Sequence, residues 1–333
     1  MKNRLFPAIL TLVILLVQTV IQTGIQSMAQ TGLGILPAVH AQNVLQGLAG
    51  EDEAGEDELR VVAWNIEHLA EANGKGCVPR TDEDYRKLRE FANSMDADVV
   101  ALQEVESVNA MARVFPRENW TFVISERPPS EPYTCRGNGN PSTQQKVGFA
   151  IRKGVGYERK DDFRELGLGL EGLRYGVVIQ LTDFPEPMHV MAVHLKSGCF
   201  VDDYAASYRR ACETFEQQAP LLDRWVEENF EQNQGFIVLG DFNHRISNTE
   251  NRLWKLLTDM DEQPVTVMNS MSSLKGCHPR YPEPIDHILF GAGAERYYQP
   301  GSEMVHYFGD SPETMTEEQM LSDHCPVSVG FRF

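Results

Sequence analysis

Six short segments of the sequence place acids, amides and histidines directly after apolar runs. They are WNIEHL (64–69), LQEV (102–105), VHLKS (193–197), GDFNHR (240–245), PIDHI (284–288) and SDHCPV (322–327). Any one of them could be an ordinary turn, because Gly, Asn and Asp supply turn geometry. Six are harder to ascribe to turns, because buried carboxylates are unfavourable unless they are paired or bind a metal. The set therefore indicates a site for binding a hard cation and moving protons.

The elements that must position these segments are mostly short apolar strands. Periodicity predicts strands at 59–64, 98–102, 121–125, 147–152, 175–181, 189–197, 236–239, 285–290 and 325–331. It predicts helices at 82–95, 108–115 and 204–230, the last with a break near Pro220. Residues 126–145, rich in Pro, Gly and Asn, form a long loop. Polar groups at the ends of many strands predict two sheets packed face to face, with helices outside.

In their order and type, the six segments resemble those of the endonuclease/exonuclease/phosphatase superfamily, which has the deoxyribonuclease-I-like fold. The resemblance runs from about Arg60 to Phe333. It implies an α/β (α+β) fold, a four-layered sandwich of two packed mixed β-sheets flanked by helices. It also implies an enzyme, a metal-dependent phosphoric ester hydrolase.

The resemblance assigns metal binding to four residues with oxygen ligands, which suit Mg²⁺, with Mn²⁺ able to substitute. They are Asn65, Glu67, Glu104 and Asp323, with Glu104 the best ligand. One metal or two are both compatible with this set.

The resemblance implies that His324 activates the attacking water and that Asp286 orients its ring. His194 and Asn243 would hydrogen-bond the phosphoryl oxygens, and Asp241 would orient the water or the leaving group. Which group acts as the base stays open.

Other basic residues are assigned by position. Arg174 occupies the position of a phosphate-clamping Arg, and Lys196 is either a phosphate contact or a solvated charge. We leave out His244 and His287, which directly follow candidate site residues and are expected to face the opposite way on a strand. We also leave out His68, which follows the first site segment.

The N-terminus reads as an export signal. A basic start (Lys2, Arg4) precedes an apolar run, and small-residue exits follow at Ala29 and Ala41. We predict a signal peptide at 1–41, an acidic disordered linker at 42–58 and a catalytic domain at 59–333, in a secreted or periplasmic, bacterial-type protein. An uncleaved membrane anchor is the alternative, although the apolar run is short for a spanning helix.

The negative net charge of the chain limits the kinds of molecule that it can bind. The chain carries −18; removing the two bases of the signal makes it −20, and setting aside the six acids of residues 51–58 leaves −14 for the domain. Such a domain has no basic stripe for tight, non-specific nucleic-acid binding. It can still be an enzyme whose cation offsets the charge of an anionic substrate.

Six cysteines in an exported chain predict disulfides. We expect Cys199–Cys212 first and Cys77–Cys135 second. Cys325, between a polar turn and an apolar strand, is expected to be a buried thiol, so that two thiols in all stay free.

The most consistent function is a secreted, metal-dependent phosphodiesterase whose substrate is DNA or RNA. The alternatives are a phospholipid headgroup hydrolase of the sphingomyelinase kind, another phosphoester hydrolase, or an inactive binding module. No apolar hairpin for membrane entry is evident, so no stable membrane association is expected after signal cleavage, and no protein partner is inferred. DNA against RNA, and internal against terminal cleavage, stay open, because substrate choice depends on loops.

Overall fold

The computed structural model describes residues 58–259, 266–278 and 282–333. The predicted signal peptide and all of the predicted linker except Glu58 lie outside the described residues.

Twelve strands occur in the described residues. They are β1 (Glu58–Leu69), β2 (Val99–Val105), β3 (Trp120–Ile124), β4 (Lys146–Arg152), β5 (Tyr157–Arg159), β6 (Val177–Leu181), β7 (Met188–His194), β8 (Phe236–Asp241), β9 (Met268–Asn269), β10 (Asp286–Gly291), β11 (Met304–Val305) and β12 (Val327–Arg332). The α-helices are α1 (Asp82–Ser94), α2 (Val108–Val114), α3 (Arg210–Glu231) and α4 (Arg252–Thr258).

The strands form two mixed six-stranded sheets. The first has the order β11-β12-β1-β2-β4-β3 and the second the order β5-β6-β7-β8-β10-β9. Only the pairs β1/β2 and β7/β8 are parallel among the strand pairs of the described residues. Parallel neighbours share the edge at which they end, so polar residues at those ends are brought together.

A continuous apolar layer joins the two sheets. Val61, Ala101 and Phe149 of the first sheet lie in one buried cluster with Leu239 and Phe290 of the second. The outer face of the first sheet packs under α1 and α2, and that of the second under α3 and α4. The result is the predicted four-layered sandwich, which is confirmed.

Helix α1 follows directly from its sequence. Thr81 and Asp84 form a reciprocal capping box at its N-terminus, and Tyr85, Leu88 and Ala92 form its buried stripe. The predicted break at Pro220 is wrong, because α3 runs unbroken through it. Proline removes one backbone hydrogen bond, but packing of a 22-residue helix's long apolar face offsets that loss.

All nine predicted strands are present, with ends moved by a few residues. The short strands β5, β9 and β11 and helix α4 were not predicted. The predicted loop at 126–145 is confirmed as largely irregular backbone, and its Cys135 is bonded to Cys77.

The cysteine prediction is right for two pairs and wrong for the third. Cys77–Cys135 and Cys199–Cys212 are bonded as expected. Cys325 is bonded to Cys277, 48 residues away, and no cysteine is free. The sequence around Cys325 does look like a buried position, and Cys325 is buried, but the approach of the loop that carries Cys277 is a tertiary contact without a local signal.

Within the described parts of the chain, no helix combines the length and apolar character that crossing a bilayer requires.

Candidate active site

Strand register in the second sheet puts three predicted site residues side by side. His194, the last residue of β7, pairs with Asp241 at the end of β8, and Asp241 pairs with Asp286 at the start of β10. Their side chains point to the same face because paired residues in adjacent strands do so. A His and two acids thus form a row across one end of this sheet.

The first sheet brings its acids to the facing end. Asn65 of β1 pairs with Gln103 of β2, and the register then shifts before Leu69. At this irregularity Glu67, His68 and Glu104 adopt left-handed backbone, with φ of 48°, 49° and 61°. Asn243, after β8, does the same with a φ of 53°. These turns direct the side chains away from the sheets.

His324 and Asp286 form a tight pair. Nδ1 of His324 lies 2.7 Å from Oδ2 of Asp286, so its Nε2 faces the cleft, 3.9 Å from Asp241 and 4.0 Å from Asp323. Burial lowers the pKa of His324, but the charges of Asp286 and Asp241 more than offset this and hold the pKa well above its usual value. The pair thus has the geometry of an oriented imidazole with a stabilised positive charge.

Asp241 is the hydrogen-bonding centre of the cleft. Its Oδ2 accepts from Nδ2 of Asn65 at 3.1 Å and from Nδ2 of Asn243 at 3.0 Å, and its Oδ1 accepts from the Asn243 backbone N–H at 2.7 Å. Nε2 of His194 lies 3.4 Å away. Burial, reinforced by the charge of Asp286, raises the pKa of Asp241 to about 7 despite the opposing charge of His324.

Glu67, Glu104 and Asp323 form an acidic cluster where the two sheets meet. Oε2 of Glu67 accepts the Asp323 backbone N–H at 3.0 Å, and Oε2 of Glu104 accepts the His68 backbone N–H at 3.1 Å. Burial and then the charge of Asp323 raise the pKa of Glu67, as expected for acids crowded together without a cation.

Glu104 differs from its neighbours in the cluster. Burial raises its pKa, but electrostatic interactions with His194, His68, Arg174 and His324 outweigh that and hold the pKa at about 2. Burial lowers the pKa of His194 well below its usual value, so the lasting positive charges among these groups are Arg174 and His324, whose pKa is raised. A charged carboxylate next to two further acids and the amide oxygen of Asn65 is a donor set that fits a hard divalent cation.

A second group of possible metal ligands lies beside the first. Ligand atoms of Asp241, Asp286 and His324 all lie within 4.8 Å of one another. The 2.7 Å bond between His324 and Asp286 already satisfies one ring nitrogen and one carboxylate oxygen of this group.

These features can be set beside known proteins. The sequence model of the Endonuclease/Exonuclease/phosphatase family matches residues 62–324. The chain belongs to this family. Family members are metal-dependent phosphoric ester hydrolases, and the chain is an enzyme of that class. No curated protein sequence matches the chain.

Solved structures of this family share the fold. A humanized TDP2 from D. rerio superposes with a TM-score of 0.55 at 15% identity, over 83% of this chain and 99% of that one. The human Nocturnin catalytic domain gives 0.55 at 14% identity, over 82% and 93%. The 3′ phosphatase NExo from Neisseria gives 0.54 at 15% identity, over 83% and 100%. At these identities the likeness concerns the fold alone.

Arg174 is connected to the cleft through Gln145, a residue that no pattern in the sequence singled out. Its Nη2 donates to Oε1 of Gln145 at 3.0 Å, and its Nε is buried without a hydrogen-bond partner. Nε2 of Gln145 lies 3.1 Å from Nε2 of His68, which is itself 3.5 Å from Glu104. Gln145 thus links Arg174 to His68 and the acidic cluster, and His68, which was left out of the predicted site, lies beside Glu104.

The other two excluded histidines do lie outside the cleft. His244 stacks on Phe215 with ring centroids 3.6 Å apart, and Nε2 of His287 lies 3.0 Å from the His244 carbonyl oxygen. Both rings are buried under α3, the position that strand alternation predicts for them.

Lys196 and Asn243 are engaged with the protein itself. Nζ of Lys196 donates to the Ser197 carbonyl at 2.6 Å. Nδ2 of Asn243 donates to the Leu195 carbonyl at 3.2 Å as well as to Asp241, so both of its hydrogens are used. A phosphate contact through Nδ2 of Asn243 would require one of its bonds to be released, whereas the ammonium group of Lys196 has further hydrogens to donate.

Arg80 holds together the backbone segments that carry the site residues, and no pattern in the sequence identifies it. It is 4% exposed, and its guanidinium donates to the carbonyl oxygens of Ile66, Glu67, His68 and Leu321 at 2.8–3.3 Å. It therefore ties the end of β1 to the segment that carries Asp323 and His324.

Proposed function

We propose that this protein is an exported, divalent-metal-dependent phosphodiesterase that hydrolyses nucleic acid. The observation that carries the proposal is the meeting, at one end of the two sheets, of an acidic cluster and an oriented His324–Asp286 pair. An enzyme of this class needs both parts, because charge must be neutralised on the phosphodiester and a water must be activated.

Glu104, Glu67, Asp323 and the amide oxygen of Asn65 would hold the cation, and we propose Mg²⁺ because all four offer oxygen. When bound, the ion supplies Lewis-acid polarisation of the phosphoryl oxygen and stabilisation of the leaving oxygen. Burial and then the charge of Asp323 raise the pKa of Glu67, and a bound cation would offset both effects.

We propose that Nε2 of His324 takes the proton of the attacking water when the ring is neutral, a form that becomes available only as the pH rises because the pKa of His324 is raised. Asp286 fixes the ring through Nδ1 and stabilises the imidazolium that results. Asp241, fixed by the side-chain amides of Asn65 and Asn243, would orient the water or the leaving group. His324, proposed to accept the proton, and His194, proposed to contact the phosphate, thus both lie beside the Asp241 carboxylate.

Arg174 and His194 would contact the non-bridging oxygens as charge grows on them. Arg174 carries an unused buried Nε–H, and a buried donor without a partner is unfavourable unless a ligand satisfies it. His194 presents Nε2 between Asp241 and Glu104. Lys196 would add a contact through its remaining ammonium hydrogens, and Asn243 would add one after exchanging a present partner.

Nucleic acid is proposed as the substrate. The NExo structure contains a product DNA hairpin, and a further D. rerio TDP2 structure contains a single-strand DNA product. These ligands belong to those proteins. We propose nucleic acid as the substrate of this chain as well, because its predicted cleft residues are of the types that phosphodiester hydrolysis requires.

Export is proposed from the predicted signal peptide at 1–41 and linker at 42–58, together with the cysteines. All six cysteines lie in disulfides, which persist in oxidising compartments such as the periplasm or the exterior.

The test is a parallel panel of substrates with the purified protein and Mg²⁺. Plasmid DNA, single-stranded DNA, single-stranded RNA, sphingomyelin and an inositol phosphate would be incubated with wild type and with His324→Ala. We expect cleavage of a nucleic acid by wild type and at least 100-fold less by the variant. Hydrolysis of sphingomyelin or inositol phosphate alone would contradict the nucleic-acid assignment while leaving the phosphoesterase class intact.

A further inference from the structure

A cavity of about 470 Å³ opens directly beside the His324–Asp286 pair. One end of it is formed by Asn243, Asp286, Asp323 and His324. Neither Glu104 nor Arg174 lines it, so it extends from the His324 side of the cleft. Its volume is in the range of pockets that enclose a drug-sized ligand.

The walls of the cavity are mostly apolar. Met271, Leu274, Ile285 and Val305 line it, and the Cys277–Cys325 disulfide forms part of the wall. Because Cys325 directly follows His324, this cross-link fixes the wall to the residue proposed to activate water. The disulfide therefore keeps the cavity wall in a fixed position relative to His324.

The charges at the rim neutralise one another. Nε of Arg245 lies 2.9 Å from a Glu283 carboxylate oxygen, and Nζ of Lys275 lies 2.5 Å from one of Glu313. A second phosphate or a charged headgroup would find no uncommitted cation in these pairs. The cavity thus favours an uncharged group with apolar faces and polar edges.

Phe200 gives the cavity an aromatic surface. It lines the opening of the cavity and is 50% exposed, so its ring is accessible to a ligand. Exposed aromatic rings bind nucleobases by stacking, which is favourable for every base. The amide oxygen of Asn243 and the guanidinium of Arg245 are polar groups that a base edge can meet and an acyl chain cannot use.

We propose that this cavity receives the unpaired base of the nucleotide whose phosphate lies against His324. The proposal rests on the proposed nuclease function and deepens it. A base in a duplex is stacked and paired, and must be extruded at a cost of a few kcal/mol before it can enter such a cavity. The protein therefore cuts single strands in preference to duplexes.

A binding measurement tests the cavity without any turnover. Full-length mature protein in chelator would be titrated calorimetrically with deoxyadenosine 5′-monophosphate and with deoxyribose 5-phosphate, which lacks the base. We expect the base to add about tenfold in affinity to wild type. Phe200→Ala and Leu274→Trp, the first removing the stacking ring and the second filling the cavity, should lose that difference. Tyr208→Ala, which removes a 98%-exposed aromatic outside the cavity, should keep it.

Melting curves would show that both cavity variants are folded. Equal affinity of wild type for the two ligands would overturn the proposal, as would an undiminished difference in folded Phe200→Ala and Leu274→Trp. Binding of a short-chain phosphocholine in place of the nucleotide would overturn it in favour of a lipid.

A cleavage map separates this proposal from the nuclease assignment. A single-stranded oligonucleotide with one abasic residue should be cut at least tenfold more slowly at the bond next to that residue than its intact counterpart. Equal cutting there would refute the cavity proposal and leave the nuclease standing. Absence of any cutting by wild type would refute the nuclease, and the calorimetry would still judge the cavity.

Discussion

At the scale of the residue, the cleft holds its side chains through backbone that most residues avoid. Glu67, His68, Glu104 and Asn243 all have positive φ. For a residue with a Cβ this conformation costs roughly 1–2 kcal/mol. Glycine would relieve that cost at each position and would remove the functional group. Because these positions carry side chains and not glycine, other interactions of the fold must compensate for the strain. The strained backbone in turn sets the direction of the side chains.

The His324–Asp286 pair gives the first prediction. His324→Ala, Asp286→Ala and the double variant should fall to similar residual kcat values, at least 100-fold below wild type, because residues that act as one unit cannot be removed twice. KM should change far less than kcat. Turnover and melting temperature would be measured together on all three variants. Near wild-type kcat in either folded single variant, or multiplicative losses in the double variant, would contradict the pair.

The sequence identifies residues that end strands better than residues that reach the cleft from elsewhere. Asp241, Asp286 and His194 could be predicted because each ends or begins an apolar run, and register then fixes their side. His68 was left out because it follows the first site segment, and the left-handed backbone at His68 has no signal in the sequence. Gln145 and Arg80 act through contacts 77 and up to 241 residues away in sequence, which no local pattern reveals.

At the scale of the element, the site depends on keeping the end of β1 against the segment before β12. Arg80 makes that connection through four backbone carbonyls. Ser322 adds a hydrogen bond from its Oγ to the Asn65 carbonyl at 2.7 Å. Two proposed metal ligands, Glu67 and Asp323, lie on the two segments that are joined in this way.

Arg80→Met should therefore weaken metal binding and not only stability. Without the guanidinium the carbonyls lose their donors, the two segments separate, and Glu67 and Asp323 no longer share one position. We expect at least a fivefold rise in the dissociation constant for Mn²⁺ and at least a tenfold fall in kcat.

Arg89→Met is the matched control for Arg80→Met. Its guanidinium also donates to a backbone carbonyl, that of Arg113, but on helix α1, outside the cleft. It should retain the wild-type dissociation constant for Mn²⁺. Unchanged metal affinity in folded Arg80→Met would show that Arg80 has no positioning role.

The Cys277–Cys325 disulfide gives a prediction at the same scale. Thiol titration of unfolded, non-reduced protein should find no free thiol. The Cys277→Ser/Cys325→Ser variant should lose about 4 kcal/mol, and Cys199→Ser/Cys212→Ser about 3 kcal/mol, because the first bond closes the longer loop. Denaturant unfolding would measure both. A larger loss for the second pair would argue that strain or residual structure, rather than loop closure, sets the difference.

At the scale of the whole molecule, the negative net charge opposes the binding of an anionic substrate, whereas the fold provides a cleft that can bind one. A domain of −14 repels a polyanion, and the acidic cluster adds to that repulsion until a cation is bound. Few phosphates can then be contacted at once, so affinity should come from the reacting phosphate and its immediate neighbours. A single-base cavity beside His324 is consistent with that arrangement.

The architecture could be predicted from the sequence because its signals are redundant. Nine apolar runs and six polar strand ends all agree on a two-sheet sandwich, so an error at one element does not change the answer. The edge strands β5, β9 and β11 escaped prediction because each has only two or three residues and is specified by its neighbours. The Cys277–Cys325 bond escaped because loop conformation decides it.

The most direct test of the central claim is hydrolysis of a simple phosphodiester as a function of metal. Wild type and Glu104→Gln would be assayed on bis(p-nitrophenyl) phosphate in excess chelator and after addition of Mg²⁺ or Mn²⁺, with melting temperatures recorded in parallel. We predict no activity in chelator, recovery with metal for wild type, and at least 100-fold lower activity for a normally folded Glu104→Gln. Full activity in excess chelator, or wild-type activity in Glu104→Gln, would contradict the account.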